Sequence, residues 1–503
     1  MLSSADLERA LEPVRGYFSG RVITPNTVLA ARLRAASVPT QGPTWETAKA
    51  VLANHADFDE AVRRAEQLMH GAHAGTGDGT PAPRRGLVTA EQPFSGTMEW
   101  FPKRFREGDI DGQGARKLLG VPNLDSTTLL VREMAQNAWD ARGASASIRF
   151  TVNLREVTGP ALETLRARVF TGESNGLGLK ELLARPSIWC LEVSDRGTVG
   201  LNGPIRNDRA IEPGVDRNFV DLVFNIGAPR DTHLGGGTYG FGKTISYVIS
   251  NVGTVLIWSR AQGMDGYEER FIGSAMGDNF DRLGRSYTGR HWWGHVVDDG
   301  DRVEPVVGGA ASGLGAAVFQ DRFGTDETGT SFLILDPDLT GETPEEKVKA
   351  LRDAVLDNLW PKLMRGEKGR SAMGIDVFLN GTRVVMPQPE DAPALRGYTE
   401  CLGAVRRAQR LDDDPSDEDG VSLVRVVQIR SQRPKKLLGH LALVRRQLQD
   451  GEEAQHHVSL MRHGAELVVK KQAYRKLDVP GFQWMGVFKP AEHVDDSFAA
   501  AEP

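Results

Sequence analysis

Apolar residues along the chain recur in two rhythms, and each change of rhythm marks an element boundary. From Thr44 to Met69, TWETAKAVLANHADFDEAVRRAEQLM, they return every third and fourth position, the spacing of helices with one buried face. GAHAGTGDGTPAPRRG (Gly71 to Gly86) interrupts that rhythm with Gly, Pro and Ala and reads as a linker, so residues 1–88 are expected to form a separate helical module. Further on, VREMAQNAWDAR reads as a helix, and SIWCLEVSDRGTVGL (Ser187 to Leu201) as a strand ending in an aspartate and a glycine turn. LGGGTYGFGKTISYVIS (Leu234 to Ser250) is a glycine-rich loop running into an apolar helix, and TGTSFLIL (Thr328 to Leu335) is a strand opened by a threonine. The glycine-rich stretch between them, Gly263 to Asp326, reads as an elaboration. Glu342 to Met364 has the pattern of a long helix started by Thr343-Pro344 and an acidic first turn. GIDVFLNGTRVVM (Gly374 to Met386) predicts a hairpin about Asn380-Gly381, and Val421 to Ile429 and His440 to Leu448 predict strands or short amphipathic elements.

Within the first predicted helix, Glu133, Asn137 and Asp140 are four and three residues apart and share one face. Alone, such a stripe is an ordinary solvated face; the later segments give it a chemical context. A carboxylate at Asp195 can accept a hydrogen bond from the exocyclic amine of adenine, whereas guanine would oppose it with a carbonyl oxygen, so ATP is expected over GTP. Asn137 offers a hard amide oxygen suited to Mg²⁺, which takes its other ligands from phosphate and water. Glu133, one turn earlier, has the chemistry to orient and deprotonate an attacking water. Gly237, Gly240 and Gly242 let backbone N–H groups approach phosphates, and the start of the following helix favours anions.

These residues resemble the motifs of the GHKL ATPase superfamily, which includes gyrase-type, MutL-type and heat-shock-chaperone ATPases and the histidine kinases. Glu133 and Asn137 match its first motif, completed by Asp140 and Ala141. Asp195 and Gly197 match the second, with the next glycine, Gly200, one place late. Gly237-Thr238-Tyr239-Gly240-Phe241-Gly242 matches the lid, and Gly329-Thr330 the fourth motif. The resemblance spans roughly 100 to 340 and implies an α+β protein. It predicts a Bergerat-type α/β sandwich over 96–340 binding ATP and Mg²⁺, followed over 341–503 by a transducer-like α/β domain. By the same resemblance Glu133 is the general base of hydrolysis and Asn137 the magnesium ligand. Asp140, Asp195, Gly197, the lid residues and Thr330 would hold the nucleotide. In such proteins a cation from the following domain reaches the terminal phosphate; Arg433, Lys435, Arg462 and Lys470 are the candidates here.

Other readings stay open at this stage. Gly237, Gly242, Lys243 and Thr244 also spell a P-loop, with Lys243 as a phosphate contact, but the preceding GAPRDTHLGG is polar and turn-prone where that fold needs a buried strand. A histidine kinase would need a phosphoacceptor helix upstream, where only His70 and His73 stand beside the linker. The hydrolytic branch is therefore expected, with ATP-driven lid closure serving a DNA-processing or bacterial defence system, or a chaperone-like remodeller. The expected partners are a second copy joined on ATP binding, and DNA or protein. A net charge of −6 exerts no global pull on polyanions, although cations from Arg425 to Lys476 follow the acidic LDDDPSDEDG stretch. Two cysteines exclude a disulfide framework and point to a cytoplasmic setting, and no apolar run is long enough for a membrane helix. HWWGH and His456-His457 lack the spacing of a zinc site, so Trp292 and Trp293 are expected to pack.

Overall fold

The computed structural model describes residues 10–11, 25–35, 48–49, 52, 58 and 61–63 of a first compact unit, Met1–Thr89. Of the second unit, Ala90–Pro503, it describes 96–107, 109, 125–143, 147–208, 211, 214–225, 244–263, 266–366, 369–411, 423–448, 453–476 and 479–499. In the first unit the helix Pro25–Ala35 buries Val28, Leu29 and Leu33 in a core with Leu11, Leu52 and Phe58. The expected lid, 237–243, lies outside the described residues, as does most of the 71–86 linker stretch.

The second unit is a mixed α+β structure built on two sheets. Twelve strands form the larger: β1 (Glu99–Arg104), β2 (Ile148–Val157), β3 (Ile188–Arg196), β4 (Thr254–Gln262), β5 (Tyr267–Met276), β6 (Phe280–Arg282), β7 (Arg285–Val297), β8 (Arg302–Glu304), β9 (Val306–Val307), β10 (Gly329–Leu335), β11 (Met373–Leu379) and β12 (Thr382–Arg383). Its main order is β1-β7-β5-β4-β10-β3-β2-β11-β12. Neighbours are antiparallel except β11, which runs parallel to β2.

Side chains alternate across this sheet, so each strand feeds two cores. Leu191 and Val193 of β3 face one layer with Phe150 and Val152 of β2, packed against α1 (Ser126–Asp140). Asp125 caps α1 by accepting from the Thr128 amide at 3.0 Å, and Leu130, Val131, Met134 and Ala138 supply its buried stripe. Cys190 faces the other way, with Leu256, Trp258 and Leu333, toward α2 (Gly308–Val318). That helix lies close to the sheet because Gly315 has no side chain: a Cβ there would stand 2.2 Å from the Trp258 ring. The stretch expected to be an elaboration is therefore structural. Residues 263–326 supply β5 to β9 and the helix that covers the second face, with Trp293 fully buried and Trp292 nearly so.

After β10, Thr343 and Glu346 form a reciprocal capping box at the start of α3 (Pro344–Leu363). α3 packs on the same layer as α1, and the chain then re-enters the large sheet as β11 and β12, turning through Asn380 and Gly381 at φ 49° and 77°. The chain from 341 to 383 therefore belongs to the large sheet, and the change of sheet comes later than the expected 340/341 boundary. The second sheet contains β13 (Val424–Arg430), β14 (Leu437–Gln447), β15 (His456–Met461), β16 (Val468–Ala473) and β17 (Phe482–Pro490), ordered β13-β14-β17-β15-β16. It is covered by α4 (Pro393–Leu411), whose Tyr398, Leu402 and Val405 meet Ala442, Met485 and Val487, joined by Trp360 of α3.

Candidate functional site

The turn after β3 ties three separate segments together. Gly197 and Gly200 both adopt left-handed backbone, at φ 79° and 65°, and a Cβ on Gly200 would meet the Arg260 carbonyl oxygen at 2.3 Å. The late glycine of the second motif thus has its own steric reason. Within this turn the Gly197 amide donates to Thr328 O at 2.9 Å and the Val199 amide to Ala141 O at 2.9 Å. The end of α1, the end of β3 and the start of β10 are fastened at one corner.

At that corner Thr330 of β10 pairs directly with Asp195 of β3 and with Ser259 of β4. Asp195 Oδ1 accepts from the Thr330 amide at 3.1 Å and from the Thr198 hydroxyl. Oδ2 has no hydrogen-bond partner among the described residues, and the half-buried carboxyl group lines a cavity. Burial pushes its pKa up to about 6, against the opposing hydrogen bond from Thr198 and the nearby Arg196 guanidinium. Thr330 is buried, its hydroxyl 3.1 Å from Ser259 Oγ, which donates to Gly329 O at 2.9 Å.

The cavity is lined by Asn137, Asp195 and Thr330, three residues singled out from sequence, with Met134, Phe150, Val193, Leu222 and Phe332 as apolar walls. It measures about 50 Å³, room for a few waters, so a purine ring enters only as the rim side chains move apart. Glu133 and Asp140, both half-buried on α1, flank Asn137 along the helix but do not line the cavity. Gly197 acts through the turn. Gly237, Thr238, Tyr239, Gly240, Phe241, Gly242 and Lys243 lie outside the described residues; Thr244, where description resumes, is buried.

Sequence reasoning missed Thr198, Asn218, Ser246 and Ser259. Thr198 sits inside the DRGTVG motif and its hydroxyl was available to be noticed; the others are single polar residues in unrelated segments, with no local signal. Of the four candidate cations, Arg462 is buried and paired with Asp495 at 3.2 Å, whereas Arg433, Lys435 and Lys470 are exposed.

The opposite side of α1 holds the second sheet. Arg132 Nη1 donates to Val469 O of β16 at 3.2 Å, and the Lys362 ammonium of α3 sits 3.3 Å from the centroid of the Trp139 ring. Burial draws Lys362 down to about 7. Cys190 and Cys401 are buried and free, their thiols pushed up to about 12, consistent with packing roles. Among the described residues no group of three or more His, Cys, Asp and Glu side chains is arranged to hold a metal, and no helix is long and apolar enough to cross a membrane. Compared with protein-family models and with curated proteins, the chain finds no match.

Proposed function

We propose that this protein is a GHKL-type ATPase of the hydrolytic branch, with 90–383 as its Bergerat-like nucleotide-binding part and the five-stranded α/β region as a transducer. One observation carries the reading: Asn137, Asp195 and Thr330, from three segments spread over almost two hundred residues, line a single cavity. Convergence of side chains chosen on chemical grounds is a stronger argument than any one motif.

In this reading the open Asp195 Oδ2 accepts from the adenine amine, while Thr198 and the Thr330 amide hold Oδ1 and so fix the carboxylate plane. Phe150, Val193 and Met134 supply apolar walls for the ring. Asn137 would hold Mg²⁺ through its amide oxygen, and the ion would supply charge neutralisation of the triphosphate. Glu133, half-buried one turn away, orients the water and takes its proton. Because α1 carries these residues on one side and grips β16 and Lys362 on the other, a nucleotide-dependent tilt of the helix reaches the second sheet. Only the affinity difference between the two states can drive that tilt. The exposed Arg433, Lys435 and Lys470 favour a DNA-processing or defence role over client remodelling, and ATP-dependent pairing of two copies fits the same scheme.

Two variants test the reading. Glu133→Ala should keep ATP affinity and lower phosphate release by about a hundred- to ten-thousand-fold; unchanged release removes Glu133 from the mechanism. Asp195→Asn turns an acceptor into a mixed donor and acceptor, so ATP binding should weaken and the preference over GTP should shrink. Equal ATP and GTP binding by the unaltered protein would sink the adenine assignment.

A further inference from the structure

A second and larger cleft, about 510 Å³, opens at the edge of the large sheet where β1 lies against β7. Most of its charges are paired. Arg206 reaches Asp208 at 3.0 Å, Asp298 at 2.7 Å and Glu304 at 3.2 Å, and Arg302 adds a second link to Asp208 at 2.7 Å, closing one rim with a rigid ion-pair knot. Arg282 is held by Glu173 at 2.8 Å and Lys103 by Asp109 at 2.5 Å. A sheet edge laced in this way needs no ligand.

Two lining guanidiniums break the pattern. Arg104 is exposed and has no carboxylate partner among the described residues. Arg290, half-buried, stacks 4.8 Å from the Trp292 ring and donates Nη2 to Phe224 O at 3.1 Å; it too has no carboxylate among the described residues. Burial depresses the Arg290 pKa because nothing nearby balances its charge well. Between and around them stand the half-buried rings of Trp100, Phe101 and Phe224.

We propose that this cleft binds a small aromatic phosphomonoester of the nucleoside monophosphate class, with Arg104 and Arg290 on the phosphate and Trp100, Phe101 and Phe224 against the base. A phosphomonoester carries between one and two negative charges near neutrality, which two planar guanidiniums meet by charge-assisted hydrogen bonds. Aromatic rings stack on bases of any identity, and the cleft lies within the roughly 300–1,000 Å³ typical of small-molecule sites. Occupancy would be felt at the first cavity: Phe224 follows the short helix Asn218–Val223, whose Asn218 and Leu222 line the Asp195 cavity.

The inference does not depend on the ATPase reading. Calorimetric titration of the full chain carrying Asp195→Ala, which silences the first cavity, with uridine monophosphate and separately with inorganic phosphate tests it. One equivalent of uridine monophosphate should bind, weakening about tenfold or more on adding Arg104→Glu or Arg290→Gln, and phosphate alone should bind at least tenfold more weakly. Arg104 is exposed, so an unchanged melting temperature for Arg104→Glu separates lost binding from lost folding. No uridine monophosphate binding, binding indifferent to Arg104→Glu, or phosphate binding as tightly as the nucleotide overturns the proposal. Failure of the ATPase reading would appear elsewhere, as absent ATP binding in the unaltered protein.

Discussion

Strand β3 carries ionisable groups on both faces and treats them oppositely. On the face covered by α2, Glu192 accepts from Arg155 Nε at 2.8 Å and from the Gln320 and Asp321 amides at 3.1 and 2.8 Å. Arg155 in turn donates to Val318 O at 2.6 Å. Both side chains are almost wholly buried and saturated with partners. On the face toward α1, Asp195 has neutral hydrogen-bond donors on one oxygen and none on the other among the described residues. Saturation marks a charge that holds the fold together; an unsatisfied, half-buried carboxylate at the mouth of a cavity marks one kept for a ligand. Three residues separate the two along the chain, so position in sequence says nothing about which is which.

The largest effect that would break this contrast is on stability. Glu192→Ala strands Arg155 without its counter-charge and should cost about 3–5 kcal/mol in chemical denaturation, while Asp195→Ala should leave the midpoint nearly unmoved and abolish ATP binding. The reverse ranking would mean that the saturated face is not the structural one. Gly200→Ala comes next: its Cβ would press on the Arg260 carbonyl in a left-handed conformation, for a loss of about 1–3 kcal/mol. Nucleotide binding should fall with it, because the turn positions Thr198.

A pH dependence sharpens the comparison with the smallest effect. Asp195 titrates near 6 in the folded chain against an ordinary 3.8, so the folded state holds the extra proton across that window. Its contribution to stability is therefore largest at low pH and is lost as pH rises from about 4 to about 6. Asp195→Asn should flatten that part of the stability profile. ATP affinity should run the other way, rising through pH 6 as the acceptor ionises. No resolved shift accompanies Glu192, so its variant should leave the same window unchanged.

Local pattern made much of this architecture legible. The Thr343 capping box, the Asn380-Gly381 turn and the apolar run into Asp195 each announce themselves within a few residues, and each element stands where its pattern puts it. Pairing over long distances did not. Nothing near Met373 signals that β11 aligns in parallel with β2, more than two hundred residues earlier, because a parallel pair needs a crossover and carries no turn signature. The glycine-rich stretch around 308–318 looked like filler because its helix packs through absent side chains rather than large ones. In the same way, Asn137, Asp195 and Thr330 could be chosen from their chemistry, whereas Ser259 became visible only as the neighbour of Thr330 across a ladder. The arginine cleft draws on segments from 99 to 304, none with a motif of its own.

The stitch between β11 and β2 has a practical corollary for anyone wishing to shorten this protein. Cutting after 340, where the last recognisable motif ends, would strip β2 of its neighbour and leave a bare row of amides and carbonyls, an invitation to stick edge to edge. It would also lift α3 from the layer that buries Val348, Leu351 and Val355. The smallest well-behaved fragment should therefore run to at least Arg383, past any point a motif search would choose.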